Sequence, residues 1–145
     1  MQEILVRYLH FLGIILLSSS LVAEHLLLSV DVSLNKFRRL AIIDAVYGAS
    51  ALLVFFAGGL LAFVVGKPSA FYMYNWIFKL KVSLFLTIGL LSIYPTIFFI
   101  RNRRKLISDV IVPRGLVMCI RLELAILICI PLLAALMAKG VGLSQ

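Results

Sequence analysis

The sequence predicts an all-α integral membrane protein, a polytopic chain whose four helices cross a lipid bilayer as an antiparallel bundle. Composition is the first observation: of 145 residues, 63% are hydrophobic and 14% are charged, and the mean hydropathy is +1.15. A soluble domain is about half apolar and about a quarter charged. Because a soluble fold of this length could not bury so much apolar surface, we expect lipid to surround it.

Four long apolar runs are the second observation. They lie at about 4–30, 37–65, 76–100 and 114–138, within a single domain 1–145. A helix of about 20 residues crosses a hydrocarbon core about 30 Å thick. Lipid offers no hydrogen-bond partner to the backbone, so such runs form helices or a closed barrel. Barrel strands alternate with period two, whereas these runs are continuously apolar, which favours helices.

The positions of Lys and Arg are the third observation, and they predict the orientation. Basic residues occur in the first loop and in the third loop, at Lys36, Arg38, Arg39, Arg101, Arg103, Arg104, Lys105 and Arg114. The second loop holds Lys67 alone. Loops rich in Lys and Arg stay in the cytoplasm, so both termini are expected in the periplasm of a bacterial inner membrane. Charges that cluster in short stretches between the apolar runs also argue against nucleic-acid binding, despite the net charge of +8.

Polar residues inside the apolar runs form two layers, and the first layer faces the basic loops. Its members are Glu24, His25, Asp44, Tyr94, Arg121 and Glu123. An ionisable group within a membrane is costly and marks a functional candidate. We expect His25 to meet Asp44, and Arg121 to pair with Glu24. The cluster is either a structural clamp between helices or part of a proton or ion pathway.

The second layer lies near the opposite membrane face. It contains His10, Lys79 and Lys81, with glycines at similar depth at Gly13, Gly58 and Gly59. Such glycines let helices pack closely or let a flat molecule approach the backbone. His10 and His25 are about 22 Å apart along a helix, so they cannot bind one metal ion, but each could serve a site near one face. No nucleophile elbow, zinc-protease motif or phosphate-binding loop is present, which leaves enzyme activity open.

Several motifs resemble a family of small bacterial inner-membrane proteins, domain of unknown function 2214. They are Tyr8-Leu9-His10-Phe11-Leu12-Gly13, Val22-Ala23-Glu24-His25, Arg38-Arg39-Leu40 with Asp44 and Tyr47-Gly48, Phe78-Lys79-Leu80-Lys81, Leu91-Ser92-Ile93-Tyr94-Pro95-Thr96 and the stretch 131–138. The resemblance covers nearly the whole chain. It implies a multi-pass membrane protein and no particular reaction.

A more distant resemblance is to the HemJ-type membrane-embedded protoporphyrinogen oxidase. Two features carry this resemblance, a histidine early in the first helix and a lysine shortly after a tryptophan in the third helix. The histidine is His10. The lysine is Lys81 or Lys79, because the spacing from Trp76 to Lys81 is one residue longer than in that family's pattern. The resemblance implies heme b, with His10 as an iron ligand and an essential helix-three lysine.

The second layer is chemically compatible with heme b. A neutral imidazole is a suitable axial ligand, and the glycines at positions 13, 58 and 59 would admit the porphyrin. Arg7, Lys79 or Lys81 could pair with the propionates. His25 could ligate a second heme, with Asp44 orienting its ring.

Three functions follow from these observations. The first is a heme b protein that transfers electrons, or oxidises a porphyrin- or quinone-like substrate, with a membrane redox partner. The second is a proton, ion or small-solute transporter or channel subunit, which would need a homo-oligomer because four helices are few for a pathway. The third is a structural partner in a membrane assembly.

Overall fold

A computed structural model describes residues 1–28, 31–103 and 109–142. In chain order its elements are α1 (Gln2–Leu27), β1 (Asp31–Ser33), α2 (Leu34–Phe63), α3 (Ser69–Met73), α4 (Trp76–Asn102), β2 (Asp109–Ile111) and α5 (Arg114–Ala138). Four of these helices, α1, α2, α4 and α5, are long and apolar enough to cross a membrane. The mainly helical, four-span fold expected from the composition is therefore confirmed.

The long helices pack as two hairpins. Helix α1 lies against α2 and α4 lies against α5, while α1–α5 and α2–α4 contacts join the hairpins. The buried core includes Leu21, Leu40, Phe99 and Ile120, one from each long helix. Large apolar side chains such as Ile128 remain exposed on the outside of the bundle, where lipid is the natural solvent for them.

Two short strands connect the hairpins at the end that carries the basic loops. Strand β1 follows α1 and strand β2 precedes α5, and they pair antiparallel with Val32 opposite Val110. Because paired strands are adjacent, the first and third loops must lie at the same end of the bundle. This agrees with the charge pattern, which places both loops on one side of the membrane.

The helix ends differ slightly from those expected from hydropathy. Helix α1 ends at Leu27 rather than near residue 30, and α2 begins at Leu34 rather than near residue 37. Strand β1 accounts for part of this difference, since hydropathy alone assigns its residues to the loop between the two helices. Helices α4 and α5 continue through Pro95 and Pro131.

Asn75 organises the opposite end of the bundle. Its side-chain oxygen accepts a hydrogen bond from the Ile77 N–H at 2.9 Å, and its amide donates to the Val141 carbonyl at 3.1 Å. The Trp76 N–H also donates to the Gly142 carbonyl at 3.2 Å. Gly142 has a φ of 90°, a conformation that glycine adopts easily. The turn after α5 is thus anchored over the first turn of α4.

Candidate functional site

His10 lies near the end of the bundle opposite the basic loops. Its Nδ1 is 3.1 Å from the carbonyl oxygen of Val54 on α2. A carbonyl only accepts, so in the neutral ring Nδ1 carries the hydrogen and Nε2 keeps its lone pair. No residue in the described part of the chain forms a hydrogen bond with Nε2. The imidazole is therefore held by one nitrogen and chemically available at the other.

The glycines around His10 serve close packing. A Cβ on Gly58 would lie 3.1 Å from Cε1 of His10, and a Cβ on Gly13 would lie 2.9 Å from Cγ2 of Val54. The imidazole and a valine side chain thus already fill the space next to these two glycines, and the approach of a porphyrin to them stays a prediction. Gly59 differs, since a Cβ there would meet nothing within 4 Å.

Lys81 on α4 is the basic residue whose charge acts on the His10 imidazole. It is half-buried. Its Nζ lies 5.7 Å from the centre of the Phe78 ring. Lys79 is exposed, and Arg7 forms an ion pair with Glu3 on the first turns of α1. The two lysines thus differ in burial, a distinction that their spacing in the sequence could not provide.

A second group of polar residues lies inside the bundle, nearer the basic loops. It contains three buried carboxyl groups, Glu24 on α1, Asp44 on α2 and Glu123 on α5. The hydroxyl of Tyr47 donates to Oε2 of Glu123 at 2.9 Å, and the hydroxyl of Thr96 on α4 donates to Oδ1 of Asp44 at 2.9 Å. We call these five residues the carboxyl cluster. All four long helices contribute to it.

Two oxygen atoms of the carboxyl cluster lack a hydrogen-bond partner within the described residues. They are Oε1 of Glu24 and Oε1 of Glu123, although each side chain is only 1% exposed. A buried carboxyl oxygen without a partner is costly in an apolar medium. The cluster is therefore incompletely satisfied by the protein's own groups.

Tyr94 and Arg121 were expected in this cluster, but both lie outside it. Tyr94 is 46% exposed and Arg121 is exposed on α5. Arg121 and Glu123 are two positions apart on α5, which turns their side chains about 200° apart. Because Glu123 points inward, Arg121 must point outward.

The two ion pairs expected from the sequence do not form within the described residues, where the ion pair seen is Arg7–Glu3. Glu24 keeps an unpartnered oxygen instead of meeting Arg121. Asp44 takes its hydrogen bond from Thr96, on the neighbouring α4, rather than from His25. The half-buried His25 is therefore not oriented by Asp44.

Tyr47 and Thr96 were not expected as site residues. Tyr47 lies three positions after Asp44 and hence on the same face of α2, so that face could have indicated it. Thr96 is the last residue of the motif that contains Tyr94. Its position along α4 did not by itself indicate a hydrogen bond to Asp44.

No group of three or more His, Cys, Asp or Glu residues in the described ranges is arranged to hold a metal ion. Cys119 and Cys129 are both free. His10 and His25 thus remain separate residues in separate parts of the bundle.

The comparisons with known proteins agree with the membrane fold. A family profile described as "Predicted membrane protein (DUF2214)" matches residues 2–142. No match was found among curated proteins or among solved structures. Because the profile spans nearly the whole chain, as the motifs in the sequence also indicated, the chain belongs to the DUF2214 family of membrane proteins.

Proposed function

We propose that this protein is a heme b-binding protein of the bacterial inner membrane, with His10 as the axial ligand. The observation that carries this proposal is the contact between Nδ1 of His10 and the carbonyl oxygen of Val54. Ligating histidines commonly donate their second ring N–H to a carbonyl, which fixes the ring and its tautomer. Nε2 then presents a lone pair suited to heme iron.

Two further residues support a heme at this position. Lys81 supplies a positive charge that acts on the imidazole, and a lysine can pair with a propionate carboxylate. Side chains already pack against Gly13 and Gly58. Gly59 leaves free space next to that position on α2. The residues present therefore fit one axial ligand and one propionate partner.

The chain's own residues would position the cofactor and adjust its environment. The Val54 carbonyl would hold the imidazole, His10 would bind the iron, and Lys81 would neutralise a propionate carboxylate. Bound heme supplies one-electron chemistry, so we infer electron transfer or oxidation of a porphyrin- or quinone-like substrate, with a membrane redox partner. Because loops rich in Lys and Arg stay in the cytoplasm, we infer that both termini and the His10 site lie on the periplasmic side.

The test is the absorption spectrum of protein purified in detergent from cells supplied with heme. We expect a Soret band that shifts on reduction with dithionite. His10→Ala should abolish or shift that band, whereas His25→Ala should leave it unchanged. A colourless preparation would reject the proposal, and an unchanged spectrum in His10→Ala would reject His10 as the ligand.

Two glycine variants test the local geometry. Gly58→Ala should alter the band, since its Cβ would press on the ring of His10 at 3.1 Å. Gly59→Ala adds the same methyl group where nothing lies within 4 Å, so it serves as the matched control. Equal spectra for the two variants would show that the contact at Gly58 does not position the ligand.

A further inference from the structure

The carboxyl cluster has no role in the proposed heme site, since it lies towards the other end of the bundle. Glu24, Asp44 and Glu123 are close enough for their charges to act on one another. Each would repel its neighbours if all three were ionised, because charges in an apolar interior are weakly screened. Within the described residues, no basic side chain forms an ion pair with any of them. The cluster therefore has to lower its own negative charge.

Hydrogen bonds distinguish the three carboxyl groups. Glu123 accepts from Tyr47, and Asp44 accepts from Thr96. A donor directed at a carboxylate stabilises its ionised form. Glu24 receives no such bond from the described residues, although it is only 1% exposed. Of the three carboxyl groups, Glu24 is therefore the one whose ionised form the described residues stabilise least.

A bound cation or a proton would relieve this charge. A metal ion needs several oxygen ligands at short range, and the described residues contain no group arranged in that way. A proton needs only one oxygen. It also changes a carboxyl group from an acceptor into a donor, which suits Glu24, a buried carboxyl group with an unpartnered oxygen and no donor from the described residues.

We propose that Glu24 is an intramembrane proton-binding site, in which its carboxyl group holds an exchangeable proton next to Glu123 and Asp44. The titratable groups whose charges act on it are Asp44 and Tyr47 from α2 and Glu123 from α5. Helix α4 contributes the neutral hydroxyl of Thr96, which donates to Asp44. This site requires no heme. It gives the protein a second function, binding of protons within the membrane.

Labelling with dicyclohexylcarbodiimide tests the proposal on the full-length protein in lipid vesicles. This apolar reagent adds to a protonated carboxyl group. The carboxyl proton moves to a nitrogen of the carbodiimide, a carboxyl oxygen bonds to the central carbon of the carbodiimide, and nothing is released. We expect one adduct by mass spectrometry, located on Glu24. Labelling should fall with rising pH, about tenfold per pH unit once the group is mainly ionised. Glu24→Gln should remove the adduct.

Glu3→Gln is the matched control, because Glu3 is exposed and paired with Arg7, and it should leave labelling unchanged. Protection by sodium or potassium chloride at constant pH would overturn the proposal in favour of a cation site. Persistence of the adduct in Glu24→Gln would also overturn it.

Infrared spectroscopy of the unsubstituted protein decides the question if Glu24→Gln fails to fold. A protonated carboxyl group has a carbonyl band that shifts in heavy water and disappears in alkali. Absence of that band would overturn the proposal even where the reagent fails to reach Glu24.

Discussion

Removal of one hydroxyl group, by Tyr47→Phe, should destabilise the bundle measurably. Tyr47 is 2% exposed and donates to Glu123 at 2.9 Å. The substitution retains the aromatic ring, so it leaves almost no cavity. Oε1 of Glu123 already lacks a partner, and the variant would leave that carboxyl group without any donor from the described residues.

The size of the effect depends on the charge of Glu123. Neutral hydrogen bonds between membrane helices contribute about 0.6 kcal/mol on average. A hydrogen bond to a charged group contributes about 1.5–3 kcal/mol. Because the hydroxyl bond favours ionised Glu123, we expect Tyr47→Phe to lower the free energy of unfolding by about 2 kcal/mol. Glu123 should also become reactive towards the carbodiimide.

The assay is reversible unfolding by sodium dodecyl sulfate in mixed micelles, followed by circular dichroism. Tyr94→Phe is the matched control, because Tyr94 is 46% exposed, and its change should be close to zero. If the two variants lose equal stability, the hydroxyl of Tyr47 does not support an ionised Glu123, and the assignment of charge in the cluster is wrong.

Three further predictions concern packing and topology. Gly13→Ala should lower the free energy of unfolding by about 1–3 kcal/mol in the same assay, since its Cβ would lie 2.9 Å from a valine methyl. Gly48→Ala is the control, because a Cβ there has nothing within 4 Å, and it should raise the free energy of unfolding by about 0.5–1 kcal/mol. Equal effects of the two variants would contradict the close packing at Gly13. Asn75→Ala should cost about 1 kcal/mol and speed hydrogen exchange in the first turn of α4; unchanged exchange there would show that the cap is dispensable. In a background without native cysteines, an impermeant maleimide added to intact cells should label Lys67→Cys but not Lys36→Cys, and labelling of both would refute the orientation.

Hydropathy was sufficient to predict the fold because lipid restricts the choices so severely. A continuously apolar run has to satisfy its backbone internally, so the helices at Gln2–Leu27 and Arg114–Ala138 follow from length and composition. The strand pairing between the first and third loops could not be predicted. It depends on backbone groups of short segments whose side chains carry no clear pattern.

The carboxyl cluster was predicted in part, for a reason that helix geometry explains. Depth along each helix correctly selected Glu24, Asp44 and Glu123 as neighbours, since antiparallel helices bring equal depths together. Depth says nothing about direction around the helix axis, so Arg121 was placed inside although it points outward. The glycines beside His10 show a similar limit, because a glycine pattern indicates close approach without telling what approaches.

The strand pair at the basic end also determines how the bundle could move. It joins the hairpin α1–α2 to the hairpin α4–α5 through backbone hydrogen bonds, so any separation of the two hairpins would turn about this end. At the opposite end, the contacts of Asn75 join α4 to the turn after α5. Both elements belong to the hairpin α4–α5, so these contacts do not join the two hairpins. Separation of the two hairpins would therefore be greatest around His10 on α1 and Lys81 on α4, where a bulky molecule could enter sideways from the bilayer, while the carboxyl cluster would stay nearly still.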